Sequence, residues 1–230
     1  MEFRQLFDPE TCTYTYLLVD EASREAVLID PVMAQVDRDS ALLEEWGCAL
    51  VWVLETHIHA DHITGSAVLR SRWGGQHVVG ARSGIEGTCR KVHQGEPITF
   101  GRQQLEVRET PGHTEGCVTY VHHASARAFT GDALLIGGCG RTDFQGGDAP
   151  TLYASVHGQI FSLPDATTLY PGHDYNGRTH TTVGEEKAHN LRLGGGRSLA
   201  SFQAVMAALD LSEPAQIHLA VPANLKGGDQ

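Results

Sequence analysis

Residues 56–65 read THIHADHITG, which puts His57, His59, Asp61 and His62 inside six positions, directly behind an apolar run. Imidazole and carboxylate groups at that density are the donors that hold a metal ion. Three more segments share the layout, a strand-like run that ends in a Gly-rich or turn-like loop carrying His or Asp. They are ETPGHTEG with His113, FTGDAL with Asp132 and LYPGHDY with His173. Loops at strand ends, held by a rigid scaffold, are where functional side chains concentrate. All seven candidates offer nitrogen or oxygen and none sulfur, which suits Zn, Fe, Mn or Ni better than a soft-metal site. A lone His after a strand is more often packed or solvated than a ligand. His77, His93, His122, His123, His157, His180, His189 and His218 are therefore read as non-ligands. Glu55 and Glu115 are read as solvated groups or as supports behind the ligands.

The spacing makes local demands. An extended backbone from Thr56 to Ala60 points His57 and His59 the same way. Asp61 and His62 then open a helix and face a second point beside the first. Pro111-Gly112 and Pro171-Gly172 provide sharp turns that aim His113 and His173, and Gly131 lets the backbone come close just before Asp132.

The elements that must position these residues are strands. YTYLLVD and EAVLIDPV, split by EASR, read as a hairpin. VDRDSALLEEWG has helical spacing, with Asp39 or Ser40 as its cap and Gly47 as its end. CALVWVLETH is a nearly continuous apolar run, the pattern of a strand buried on both faces. HITGSAVLRSRWGG reads as a helix that stops at the glycine pair. QHVVGA, EPITFG, QLEVRETPGH, CVTYVHH, ARAFTGDALL and ATTLYPGHD are strand-like, and EEKAHNLRL is helical. Leu199, Phe202, Val205, Met206 and Leu209 form a helical apolar stripe, which is a core face. Strands framed by helices, with no linker or repeat, predict a single α/β domain over residues 1–230, with large sheets and outer helices.

Composition sets the outer bounds. The chain has 230 residues, enough for a sizeable core, is 41% hydrophobic and carries a formal net charge of −11. That balance lacks the basic footprint of a nucleic-acid binder. No apolar run approaches a membrane span and no secretory signal is evident, so neither membrane nor nucleic acid is an expected partner. Cys12, Cys48, Cys89, Cys117 and Cys139 are odd in number and scattered, which predicts free thiols in a reducing cytoplasm.

H-x-H-x-D-H followed by isolated His, Asp and His resembles the metallo-β-lactamase superfamily. FRQLFDPETCTYTYLLVD, THIHADHITGS, TPGHTEGCVTYV, FTGDALLIGGCGRTDFQGG, YPGHDYNGRTHTTVGEEKAHN and VPANL narrow the resemblance to its persulfide dioxygenase branch, from residue 3 to about 225. Ala60, where glyoxalase II usually has a bulky aromatic, and GCGRTDFQ are the more specific pieces. One departure is the absence of the cysteine that often follows ANL in relatives.

The resemblance implies an αββα sandwich of two mixed sheets with helices on the outer faces and the metal site at one edge. It implies one Fe(2+) per chain on His57, His113 and Asp132. His59 and Asp61, with Tyr175, become candidate catalytic neighbours. His62, His173 and Asp174 stand behind the ligands and orient them. The substrates it implies are glutathione persulfide and O2, with sulfite and glutathione as products. Tyr175 and Arg141, and more weakly Arg192 and Lys187, are candidates to contact substrate. Arg141 has an alternative role in an ion pair with Asp143, and Tyr175 as a packed core residue. Relatives often form homodimers. A glyoxalase II-like hydrolase that uses two metals is the competing reading, since all seven ligands of a two-metal site are present. A non-catalytic sulfur-sensing protein on this fold is a third.

Overall fold

The computed structural model describes residues 1–87 and 89–228; Thr88 and the last two residues of the 1–230 span lie outside it. Its first half builds one mixed sheet from β1 (Glu2–Asp8), β2 (Thr13–Val19), β3 (Glu25–Ile29), β4 (Ala49–Leu54), β5 (Gln76–Gly80) and β6 (Arg90–Val92), in that spatial order. β2 and β3 form the predicted hairpin, with Tyr16 opposite Ile29 and Val19 opposite Ala26. β3, β4, β5 and β6 run parallel, and the β3–β4 and β4–β5 connections cross back over the sheet as helices. α1 (Val36–Glu45) and α2 (Ser66–Trp73) do this.

The second sheet holds β7 (Pro97–Phe100), β8 (Gln103–Glu109), β9 (Val118–His122), β10 (Arg127–Gly131), β11 (Thr168–Pro171) and β12 (Thr181–Thr182), in the order β12-β11-β10-β9-β8-β7. Outside it lie α3 (Ala149–Ser155), which runs on into a π-helical turn, α4 (Val183–His189) and α5 (Leu199–Ala207). α6 (Ile217–Leu225) packs near the end of the first sheet.

Strand periodicity divides the core into three layers. In β2, Tyr14, Tyr16 and Leu18 enter the cluster between the sheets, where they meet Phe100, Tyr120, Phe129 and Tyr170. Leu17 and Val19 point the other way, under Val36 and Leu43 of α1 and Leu69 of α2. Val121, Ala128 and Leu169 of the second sheet face Leu152, Phe202 and Met206 of the outer helices. Each such large side chain contributes about 1.5–3 kcal/mol on burial. The result is the expected αββα order.

The structure corrects several local expectations. α1 starts at Val36, so Asp39 is buried inside it beside Arg38 rather than capping it. Asp61 and His62 do not open a helix. α2 begins at Ser66, and residues 56–63 form bends instead of extended strand. β1 is an edge strand the sequence did not announce, because Arg4 and Gln5 break its alternation. α5 buries Phe202 and Met206, but Leu199 at its start is exposed.

Candidate metal centre

Strand direction explains why the four motif segments meet. β8 and β10 are both antiparallel to β9, and β11 is parallel to β10, so all three end on the same side. β4 of the first sheet ends beside them. Val118 N donates to Thr56 O at 2.8 Å, and Tyr14 N donates to Gly172 O at 2.8 Å, which fastens the sheets together at this edge. Gly131 adopts φ +51 and has no room for a side chain against Thr56. A Cβ on Gly172 would fall 2.5 Å from Asp132 Oδ1. Both glycines let Asp132 approach the end of β4.

His57, His113 and Asp132 each bring one ligand atom into a group lying within 4.8 Å of one another. His59, Asp61 and His173 form a second such group, and Asp30, Glu55 and His59 a third. His173 stands between the first two, its Nε2 3.7 Å from Asp132 Oδ1 and 3.8 Å from Asp61 Oδ2. His62 turns to Asp61, with its Nδ1 2.9 Å from Asp61 Oδ2. The expected non-ligand histidines fall outside all three groups.

The surroundings choose the tautomers. Thr56 Oγ1 donates its only proton to Asp30 Oδ2 at 2.7 Å, so it accepts from His57 Nδ1 at 2.9 Å. His113 Nδ1 donates to Arg141 O at 2.7 Å, and His173 Nδ1 donates to Thr11 O at 3.2 Å. The rings of His57 and His113 are left with a bare Nε2, the atom a metal takes, and the outer partner fixes the ring. Burial opposes the charge of His173, but Asp132 and Asp61 outweigh it and raise its pKa. Asp132 Oδ1 is buried without a hydrogen-bond partner, which is what an acceptor waiting for a cation looks like. Burial, then the neighbouring His59, His113 and His173, push the His57 basicity well below the ordinary imidazole range, favouring the neutral form a metal requires.

His59 behaves differently. Its Nε2 lies 3.2 Å from Asp30 Oδ1 and 3.5 Å from Glu55 Oε2. Burial opposes its charge, but the two carboxylates outweigh burial and raise its pKa well above the ordinary value. Glu55 is thus neither solvated nor a ligand of the first group. It is buried, takes the hydroxyl protons of Thr64 and Ser66, and faces His59 and His77. Asp30 was missed in sequence, although LIDPV has the same strand-then-turn layout as the motif segments.

Tyr175 is not a core residue. It is 70% exposed, with its ring stacked on His173 at 6.0 Å and 4°. Crowding around its hydroxyl, then the charges of Asp132 and Asp61, push its ionisation above the ordinary phenol range. Arg141 is not free for a substrate carboxylate. Its fork grips Asp143 at 2.6 and 2.7 Å, its third nitrogen donates to Ser212 O at 2.6 Å, and it lies over the Phe144 ring. The Asp174 carboxylate accepts from Arg178 at 2.8 and 3.0 Å and so pins the loop after His173. Arg192 donates to Cys139 O at 2.6 Å, and Lys187 pairs with Asp165.

Two mixed sheets between helices, with a His/Asp centre where their strands end, define a metalloenzyme of the αββα class. The family model described as the metallo-beta-lactamase superfamily matches residues 11–88 and 90–173. Persulfide dioxygenase ETHE1, mitochondrial, of mouse is 54% identical over 228 residues, 99% of this chain and 89% of that protein. The human protein of the same name is 53% identical with the same coverage. The crystal structure of ETHE1 from Myxococcus xanthus matches with a TM-score of 0.95 and 49% identity, over 99% of this chain and 100% of that one. The chain belongs to the metallo-beta-lactamase superfamily and, within it, to the persulfide dioxygenases.

Proposed function

We propose that this protein is a persulfide dioxygenase that uses one Fe(II), held by His57, His113 and Asp132, to convert glutathione persulfide and O2 to sulfite and glutathione. The observation that carries the reading is the convergence of those three donors into one group, beside a second group of His59, Asp61 and His173. Two imidazoles and one carboxylate on one side of a metal are the donor set of non-haem Fe(II) oxygenases, and they leave positions open. Iron, when bound, supplies the redox activity that joins O2 to a persulfide sulfur, which d¹⁰ zinc lacks. The reaction balances as one persulfide, one O2 and one water giving glutathione, sulfite and two protons. The terminal sulfur is oxidised, O2 is reduced and the S–S bond breaks.

The chain's own groups do the rest. Tyr175 keeps its proton on Oη at the mouth of the site, where it donates to substrate or to an oxygen derived from O2. Asp61 stays ionised, since burial raises its pKa but His62 and His173 outweigh burial; it accepts from water beside the ligands. Arg192 has no carboxylate partner among the described residues, and we assign it to an anionic end of glutathione in place of Arg141. We extend the reading to a homodimer, with residues 1–230 as one functional unit. Five free cysteines fit a reducing compartment such as the cytoplasm. No helix among the described residues is long and apolar enough to cross a membrane.

A two-metal hydrolase would need His59 on metal; its Nε2 faces Asp30 and Glu55, while its Nδ1 lies 4.0 Å from Asp61 Oδ1 in the second donor group. Metal analysis of His59→Ala separates the readings. A dioxygenase site keeps its single iron in the variant; loss of bound metal would favour the hydrolase.

A further inference from the structure

The turn that carries His57 through His62 has little backbone ladder of its own. Among the described residues its ends are tied by Val118 N to Thr56 O at 2.8 Å and by Met33 N to Ile63 O at 2.9 Å. Between those ties, side-chain amides take the carbonyls. Gln145 Nε2 donates to Ile58 O at 2.9 Å. Asn224 Nδ2 donates to both His59 O and His62 O at 2.9 Å, and its Oδ1 accepts from Thr64 N at 2.9 Å. Asn224 is 2% exposed and commits both amide protons and its oxygen to this one turn.

Asn224 comes from far along the chain, on α6. Val221 and Leu225 of the same helix pack on the cluster of Ile58, Val79 and Ile85, and Leu225 O accepts from Glu86 N. Asn224 and His57 belong to one packed shell behind the site, with Glu55, His59, Thr64 and His77. α6 lies beyond residue 173, where the superfamily match stops.

We propose that Asn224 is a positioning residue for the metal centre. It fixes the curvature of the His57–His62 turn so that His57 meets His113 and Asp132 while His59 stays against Asp30 and Glu55. The inference rests on reading His57, His113 and Asp132 as metal ligands. Asn224→Asp tests it, because the shape and the Thr64 acceptor survive while two donated bonds become oxygen–oxygen contacts. Metal-free wild type, Asn224→Asp and Leu219→Ala, which is 62% exposed on the same helix, are titrated with Co(II) against a chromophoric chelator. The visible d–d bands and thermal unfolding are recorded on the same samples.

Leu219→Ala is expected to match wild type. Asn224→Asp should unfold cooperatively, bind Co(II) about 10–100-fold more weakly and show altered bands, the scale typical for groups that orient ligands. A folded Asn224→Asp with wild-type affinity and bands overturns the proposal. If Asn224→Asp does not fold, Asn224→Ser is read by the same criteria, and if neither folds, Asn224 is a folding residue and the proposal falls. Wild type that binds no Co(II) would instead overturn the metal-centre reading beneath it.

Discussion

The Thr56 hydroxyl sits between a buried carboxylate and the imidazole of the proposed ligand His57, 2.7 Å from Asp30 Oδ2 and 2.9 Å from His57 Nδ1. Asp30 also accepts from Thr56 N at 2.7 Å, so the carboxylate holds the residue at both ends. This relay fixes the His57 tautomer and makes its free nitrogen a better donor. Thr56→Val keeps the volume and removes the relay. It should weaken iron binding about 10–100-fold, while Thr56→Ser retains most of the affinity. Chelator competition under anaerobic conditions measures both.

Gly172 gives Asp132 its space. An added Cβ would fall 2.5 Å from Asp132 Oδ1, and the neighbouring backbone of Gly131 leaves little room to shift. Gly172→Ala should therefore displace the carboxylate and lower iron affinity by at least about tenfold, as other changes behind a ligand do. Iron content after gel filtration, compared with wild type at matched folding, checks this.

The fold was legible wherever local pattern and tertiary demand agree. β2 alternates between two cores, β4 is apolar because parallel neighbours flank it, and the H-x-H-x-D-H spacing announces a site by itself. The Arg141–Asp143 pair was readable as an alternative because the partners are two residues apart. The turn after His59 was misread as a helix start because Asp61 resembles a cap. The Asn224 amide donating to His59 O and His62 O, and the Ser66 hydroxyl donating to Glu55, hold it as a bend, and α2 waits until Ser66. Asp30 and Asn224 could not be ranked from sequence, since their partners arrive from 26 and about 160 residues away.

Thiol reactivity follows burial. Burial pushes the Cys117 thiol up to about 12 and the Cys139 thiol up to about 11, and Cys48 is raised by the same cause. Cys12 and Cys89 are half-buried. Iodoacetamide at about pH 8 should label Cys12 and Cys89 in the folded protein and spare the other three, since the thiolate is the nucleophile. Peptide mass spectrometry reads the pattern, and equal labelling of all five would contradict it.

Asp39 gives a pH signature. Burial raises its pKa to about 6, against the pull of Arg38, with one oxygen left without a partner. The unfolded carboxyl titrates near 3.9, so between about pH 4 and 6 the folded state binds the extra proton. Stability from this group is therefore present at the lower pH and lost as pH rises through about 6. Asp39→Asn removes that slope. Between pH 7 and 5, wild type should gain about 1 kcal/mol relative to the variant in urea unfolding; no relative change would refute the assignment.

Oxygen consumption by the iron-loaded protein tests the central claim most directly. After anaerobic loading with Fe(II) to about one iron per chain, glutathione persulfide should trigger O2 uptake with one sulfite formed per O2 consumed. Full iron occupancy with no O2 uptake, or hydrolysis of a glutathione thioester that depends on two metals per chain, would contradict it.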